Sequence, residues 1–185
     1  MSVEAAGVAC GGLSAEAMVA GRLVRLPKHS PVFQLYGALE EAEARIGLAR
    51  ARTRDPVLGE ALLLAERLVR AALHVVATGE AGVAGRLLEE AKRAALGLPE
   101  PRGWSLAGCS VEEAEAAIAS AKAREAERLV SALVEEGVLP PEVGEAAAGL
   151  LSAASLILYR VRWGLCGGRG NWSSSSLSLV LGGAN

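Results

Sequence analysis

Aromatic residues are scarce in this chain of 185 residues: they make up 3% of it, whereas apolar residues make up 51%. The core must therefore be built from Ala, Leu and Val. These residues are good helix formers, and the small ones let helices approach each other closely. A chain of this length can bury one such core, so we expect a single domain.

Residues that bind metals are also few. The chain contains two histidines, His29 and His74, and three cysteines that lie far apart, Cys10, Cys109 and Cys166. No Cys-x-x-Cys pair is present, so neither zinc nor haem is expected as a cofactor. His74 lies in the apolar run RAALHVVA, which is more typical of a packed or interfacial histidine than of a ligand. The odd number of cysteines favours reduced thiols.

The chain also lacks features that mark several classes of protein. Its net charge of −2 argues against a nucleic-acid partner, which would leave a basic surface. Glu4 interrupts the start and no basic segment precedes an apolar run, so we predict no signal peptide and a cytoplasmic location. The uncharged stretch at residues 146–159 is too short to span a bilayer, so no membrane partner is expected and a buried core helix is predicted.

The sequence does contain clear signals for the starts and ends of helices. Ser30 before Pro31, and Asp55 before Pro56, are typical N-caps followed by proline at the first helical position. Apolar residues then recur three or four apart, and no segment shows the alternation of a strand. The predicted helices cover residues 29–54, 55–79, 83–98, 110–137 and 140–163. We therefore predict an all-α fold, a five-helix up-and-down bundle.

The organisation along the chain follows from these helices. Residues 1–29 have no predicted structure, residues 30–165 form the bundle domain, and residues 166–185 are predicted to be a flexible tail rich in Gly and Ser. Gly11 and Gly12 do not belong to a Walker-type loop. Their backbone amides, with that of the preceding cysteine, could nevertheless hold a phosphate without help from side chains.

Two stretches resemble the PduO-type ATP:cob(I)alamin adenosyltransferase family. RLPKHSPVFQLYGALEEAEARIGLARA is similar to the family pattern R-x-P-K-[DS]-x-P followed by Y-G-x-x-D-E-L-N-x-x-I-G-x-A. WSLAGCSVEEAEAAIASAKAREAERLVSAL is similar to the family's F-x-L-P-G-G-T loop and a helix that ends in A-R-x-x-x-R-R-A-E-R-R. Both stretches match without a gap, in the family's order and at the family's separation.

The resemblance implies a homotrimer of helical bundles that binds ATP between subunits. The family reaction is attack by cobalt(I) of a reduced corrinoid on C5′ of ATP, with triphosphate leaving and Mg2+ gathering part of the leaving charge. Carried over by position, the resemblance assigns ATP contacts to Lys28, Arg124, Glu127, Arg128 and Gly11–Gly12, and catalytic roles to Arg124 and Glu127. It assigns no residue as a resident metal ligand.

Several family residues are missing from this sequence. The first arginine of A-R-x-x-x-R-R is Ser120, and the second arginine of the R-R pair is Glu125, a reversal of charge. In the last helix Gly149, Leu150 and Ala153 replace the Asn, Arg and Asp of N-R-L-S-D. Each charge-assisted contact is worth about 1.5–3 kcal/mol, so these losses together could lower ATP affinity by orders of magnitude.

Three hypotheses therefore stay open. The first is a divergent corrinoid adenosyltransferase that retains the reaction. The second is a catalytically degenerate paralogue that binds a nucleotide, a corrinoid or a partner protein. The third is a helical bundle whose resemblance is incidental.

The charges of the segment AREAER, from Ala123 to Arg128, have two possible interpretations. Its arginines, Arg124 and Arg128, could bind polyphosphate, as the resemblance implies. On a merely solvated helix face they would instead pair with Glu125 and Glu127, and Lys122 would pair with Glu125.

Overall fold

The computed structural model of the chain describes residues 12–102, 104–105, 107–166 and 171–172, and within them all five predicted helices are confirmed. A single 3-10 turn, Ala81–Val83, precedes the third helix. The helices are α1 (Pro31–Arg52), α2 (Pro56–Thr78), α3 (Ala84–Gly97), α4 (Val111–Glu135) and α5 (Pro141–Cys166).

The helices begin close to the residues that the sequence marks, although the Ser30 side chain makes no capping hydrogen bond and α5 runs three residues beyond its predicted end. The Asp55 side chain accepts hydrogen bonds from the backbone N–H groups of Val57 and Leu58 at the start of α2. Gly79 ends that helix with a φ of 79°, a conformation that glycine adopts without steric cost. Ser110 accepts a hydrogen bond from the backbone of Glu113 at the start of α4. Local chemistry therefore sets the helix boundaries.

The longest helix, α5, lies at the centre of the bundle. It packs against α2, α3 and α4, while α1 packs against α2 and α4. Leu150, Leu151, Ile157 and Leu158 of α5 are fully buried. By length and composition alone α5 could cross a membrane. Its packing against three other helices is instead that of the core helix predicted from the sequence.

Small residues let α4 and α5 lie close together. α4 buries a row of alanines: Ala116, Ala119, Ala123 and Ala126. Where α4 meets the start of α5, a Cβ added at Gly144 would lie 2.2 Å from Val134 Cγ2. The scarcity of aromatic residues is therefore matched by close helix packing.

A β-hairpin precedes the bundle, and the prediction of a purely α-helical chain without strands is wrong there. β1 (Ser14–Val19) pairs in antiparallel fashion with β2 (Arg22–Pro27). The two residues between them, Ala20 and Gly21, have φ values of 47° and 77°. Such a turn usually carries Asn-Gly or Asp-Gly, and an alanine at the first position gives no turn signal in the sequence.

The tip of the hairpin is held by the end of α2. The Ala20 N–H donates to the Val76 carbonyl at 2.8 Å, and the Gly21 N–H donates to the Ala77 carbonyl at 2.8 Å. The last carbonyls of a helix have no partner within the helix. These two bonds therefore give partners both to the carbonyls of α2 and to the N–H groups of the turn. The turn therefore depends on a long-range contact, and the sequence pattern of residues 14–27 could not reveal it.

Two cysteines form a disulfide, so the prediction of reduced thiols is wrong for them. Cys109, in the loop before α4, bonds to Cys166, the last residue of α5, and their Cα atoms are 5.8 Å apart. The antiparallel packing of α4 and α5 brings these distant positions together. Beside the disulfide, β3 (Trp104–Ser105) pairs with β4 (Asn171–Trp172). Cys10 lies outside the described residues.

Candidate functional site

Two arginines stand unpaired on the outer face of α4. Arg124 and Arg128 are one helical turn apart and both are exposed. Within the part of the chain that the structure describes, neither forms a hydrogen bond or an ion pair, and Glu125 and Glu127 bind other groups. The pairing expected of a solvated face is therefore wrong for both arginines. Their guanidinium groups are available to an anion.

Glu127 lies beside these arginines and is held from α5. The Ser152 hydroxyl donates to Glu127 Oε1 at 2.6 Å, and the Glu127 side chain is half-buried. The carboxylate is therefore fixed in direction, with its second oxygen uncommitted among the described residues. Ser152 is the one residue of the N-R-L-S-D motif whose side chain takes part here, and its retention in the sequence was a usable signal.

The face of α4 toward α1 is different, because its charges are used within the chain. Lys122 Nζ lies 3.1 Å from Glu41 and 3.0 Å from Glu125. Arg45 lies 3.0 Å from Glu115 and 3.6 Å from Glu41. The hydrogen bond from Lys122 is the main reason that the pKa of Glu41 is below its ordinary value. The predicted Lys122–Glu125 pair is confirmed.

Four of the five positions at which family residues are missing carry neutral, buried or half-buried groups, and the fifth is Glu125. Ser120 is fully buried and its hydroxyl lies 3.1 Å from the Ser155 hydroxyl. Leu150 is fully buried in the core, while Gly149 and Ala153 are half-buried. None of these four side chains offers a charge to a ligand. The chain has rebuilt this part of the bundle with neutral packing.

Lys28 and Gly12 come together at the open end of the hairpin. The Lys28 N–H donates to the Leu13 carbonyl at 2.9 Å, and the Lys28 side chain is exposed. Gly12, the residue before Leu13, has a φ of 131°. The pairing of Ser14 with Pro27 continues this register, so Gly12 and Lys28 lie at the same end of the hairpin. Their assignment to ATP stays a prediction. Gly11 lies outside the described residues.

A groove of about 630 Å3 opens at this end of the hairpin. Basic side chains border it, and the Arg25 Nε–H group donates to the Ser14 hydroxyl at 3.1 Å. Its lining consists of Leu13, Ser14, Arg25, Leu26, Pro27, Lys28 and His29. Arg25 was missed in the sequence because the strand that presents it was not predicted. The groove suits an anionic group.

Lys28 and the arginines of α4 lie in two separate places on this chain. The residues after Lys28, Pro31 and Val32, share a groove with Leu133 and Val134 near the end of α4. Arg124 lies earlier on the same helix, separated from Leu133 by about 13 Å of helix rise. We call the groove around Lys28 the hairpin half-site. Arg124, Glu127 and Arg128 form the α4 half-site.

His74 is exposed, and its Nε2 atom lies 3.2 Å from a Glu80 carboxylate oxygen. His74 is therefore not packed within this chain, and the alternative of an interfacial histidine stays a prediction. It lies near the end of α2 and belongs to neither half-site.

The chain matches the family model described as "Cobalamin adenosyltransferase" over residues 14–159. This range contains Lys28 of the hairpin half-site and the whole α4 half-site. No curated protein sequence matches the chain as a relative.

Solved structures share the fold. A phenylalanine-to-alanine variant of the PduO-type ATP:corrinoid adenosyltransferase from Lactobacillus reuteri, complexed with cobalamin and ATP, has a TM-score of 0.60 at 18% identity, covering 80% of this chain and 87% of that one. An arginine-to-lysine variant complexed with ATP has a TM-score of 0.57 at 19% identity, covering 80% and 88%. A phenylalanine-to-histidine variant complexed with cobalamin and ATP has a TM-score of 0.59 at 17% identity, covering 84% and 89%.

Proposed function

This chain belongs to the cobalamin adenosyltransferase family, and from that membership we propose that it is a divergent ATP:corrinoid adenosyltransferase. It would transfer the 5′-deoxyadenosyl group of ATP to cobalt(I) of a reduced corrinoid. The observation that carries the proposal is the unpaired state of Arg124 and Arg128 at family site positions. The hypothesis of an incidental resemblance is wrong, since the family model spans most of the chain.

The proposed reaction needs positive charge where the leaving group departs. Cobalt(I) supplies the electron pair of the new Co–C5′ bond, and the C5′–O bond breaks with its electrons on the triphosphate. Cationic side chains stabilise the charge that develops on this oxygen. Lys28, Arg124 and Arg128 are the groups of this chain that we assign to the phosphates.

Mg2+ is implied by the family reaction, and the donor atoms of the α4 half-site suit it. Mg2+ prefers oxygen ligands and is commonly held by one or two carboxylates together with substrate phosphates. Glu127 offers one oxygen that Ser152 does not use. We assign Glu127 to the metal or to the ribose of ATP, and the metal would neutralise part of the phosphate charge.

A homotrimer would join the two half-sites. Within one chain, Pro31 and Val32, which follow Lys28 by three and four residues, share a groove with the end of α4, whereas Arg124 lies earlier on that helix. A triphosphate that contacts both needs the hairpin half-site of one subunit beside the α4 half-site of its neighbour. The separation of the half-sites supports this arrangement, in which ATP binds between subunits.

The second candidate is a catalytically degenerate paralogue that binds ATP or a corrinoid without transfer. Ser120 is tied to Ser155 where the family has an arginine, and Glu125 is tied to Lys122 where the family has another. These substitutions remove phosphate contacts while they leave the bundle well packed. They favour a protein that keeps the nucleotide site and has lost the rate enhancement.

Isothermal titration with Mg-ATP tests the proposed site. We expect micromolar binding, and a loss of at least about tenfold in Lys28→Ala and in Arg124→Ala, since each removes a charge-assisted contact. Arg86→Ala is the matched control, because Arg86 is an exposed arginine on α3 without a partner among the described residues. It should bind ATP as the unmodified protein does.

An adenosyl-transfer assay then separates the two candidates. The protein is mixed with Mg-ATP and cob(I)alamin under strong reductant, and formation of the cobalt–carbon bond is followed by absorbance. ATP binding with transfer supports the enzyme, and ATP binding without transfer supports the degenerate paralogue. Flat titrations at millimolar ATP would contradict both assignments of the site.

A further inference from the structure

We propose that the Cys109–Cys166 disulfide is a thiol-sensitive latch. When oxidised, it holds the loop before α4 and the paired strands β3 and β4 against the end of α5. Reduction by a dithiol would release this pairing while the helical bundle stays folded. The proposal does not depend on ATP or corrinoid binding.

Along the chain, the two cysteines lie between the two short strands. Trp104–Ser105 lies a few residues before Cys109, and Asn171–Trp172 lies a few residues after Cys166. The two strands pair in antiparallel fashion, and the disulfide joins the chain at one position after β3 and one position before β4. Two residues per strand are too few to form a stable pair alone. The covalent bond therefore supplies the closure on which this pairing depends.

The hydrogen bonds of a buried carboxylate hold the start of α4 independently of the disulfide. Glu113 is fully buried, and its carboxylate accepts hydrogen bonds from Arg162 Nε at 2.7 Å and from the Gly108 N–H at 2.6 Å. The carboxylate thus joins the loop, α4 and α5. Among the residues whose burial the structure describes, the largest fully buried side chains lie in the helices and in the α4–α5 connection. Loss of the disulfide should therefore weaken the pairing of β3 with β4 and leave the helices in place.

The same cluster explains why we propose a latch and not a metal site. The sulfur atoms of Cys109 and Cys166 and a carboxylate oxygen of Glu113 lie within 4.8 Å of one another. The two sulfurs are bonded to each other, and the carboxylate is already paired with the Arg162 cation. A metal ion would have to displace the disulfide and compete with Arg162.

The exposure of the two cysteines gives the reaction a direction. Cys109 is exposed, whereas Cys166 is 2% exposed, so a reductant reaches the bond from the Cys109 side. A thiolate of the dithiol attacks the Cys109 sulfur, and the Cys166 thiolate leaves. The second thiol of the reductant then displaces Cys109 and closes a cyclic disulfide. Two protein thiols form, and the dithiol loses two electrons and two protons.

Hydrogen exchange on the full chain tests the latch, in a Cys10→Ser background that prevents disulfide exchange with the third cysteine. The protein purified in air is compared with the same protein in dithiothreitol. We expect no thiol available for alkylation before reduction and two after it. The amides of Trp104–Ser105 and Asn171–Trp172 should exchange at least about tenfold faster after reduction. Amides in the middle of α4, such as that of Ala123, should not change.

Cys109→Ser in the same background is the matched control. It should show the faster exchange without dithiothreitol and should not respond to it, while its circular dichroism stays helical. Free thiols in the untreated protein would overturn the proposal, as would equal exchange before and after reduction. Loss of the helical signal on reduction would also overturn it, because the disulfide would then hold the whole fold.

Discussion

The two faces of α4 carry similar charges and use them in opposite ways. Toward α1, Lys122 and Glu125 belong to a network in which each charge has a partner within 4 Å. On the outer face, Arg124 and Arg128 have no partner in the described part of the chain. Neighbouring positions of one helix thus differ because α1 supplies carboxylates to one face, while no helix or strand of the described residues pairs the arginines of the other.

This difference shows which charges the fold uses. The paired groups link α1 to α4, although exposed pairs of this kind contribute only about 0.2–1 kcal/mol each. The outer arginines contribute nothing comparable, since they contact no opposite charge. Arginines without a partner among the described residues are the better candidates for a ligand, and these two are the arginines to which the resemblance assigns ATP contacts.

The buried ion pair between Glu113 and Arg162, at the start of α4, should be the strongest of the paired charges. Its disruption should therefore have the largest effect on stability. Arg162→Ala would leave the Glu113 carboxylate buried without its cation. Removing one partner of a buried pair costs about 3–5 kcal/mol. We expect the free energy of unfolding to fall by that amount in urea titrations with the disulfide intact.

The double variant Glu113→Gln/Arg162→Met controls for lost packing at this position. It removes both charges, and it should recover much of the stability lost in Arg162→Ala. A loss below about 1 kcal/mol in Arg162→Ala would contradict the assignment of this pair to the interior.

The substitution Glu125→Arg tests the difference between the two faces, because it replaces a paired carboxylate with an additional cation. It removes the Lys122–Glu125 bridge, while Lys122 keeps its contact with Glu41. We expect a loss of less than about 1 kcal/mol in unfolding free energy, because the bridge is partly exposed. The new cation beside Arg124 should raise Mg-ATP affinity by up to about tenfold, measured by titration calorimetry.

Glu125→Gln separates the two effects of this substitution. It breaks the same bridge without adding a cation beside Lys122, so it should be at least as stable as Glu125→Arg while its ATP affinity rises less. Weaker ATP binding in Glu125→Arg than in Glu125→Gln would show that ATP does not approach this face.

The helices could be predicted from sequence because their signals are local. Asp55, Gly79 and Ser110 act on backbone groups within a few residues, and the structure uses all three. The hairpin could not be predicted, since Ala20 adopts a positive φ only because α2 accepts its N–H. The disulfide was missed for the same reason: it needs the antiparallel packing of α4 and α5.

The candidate site, like the fold, could be predicted from the sequence only in part. The family motifs identify Lys28, Arg124, Glu127 and Arg128 along the chain, and spacing places Arg124 and Arg128 on one helical face. Which charges stay unpaired depends on the neighbouring helices, so the sequence could not separate the arginines from Lys122. The bond from Ser152 to Glu127 likewise needs α5 in place.

Acid titration should give the smallest effect and the sharpest contrast between the faces. The pKa of Glu41 is lowered in the folded protein, first by the hydrogen bond from Lys122 and further by Arg45. Its contribution to stability is therefore present above the ordinary glutamate pKa and is lost as pH falls through the lower, folded value. In urea titrations across this range, Glu41→Gln should be slightly less stable than the unmodified protein at neutral pH, and the gap should close on acidification. Glu60→Gln, at an exposed glutamate of α2 without a partner among the described residues, should show no such gap. Equal profiles for both variants would mean that the α1–α4 network leaves its charges as independent as those of the outer face.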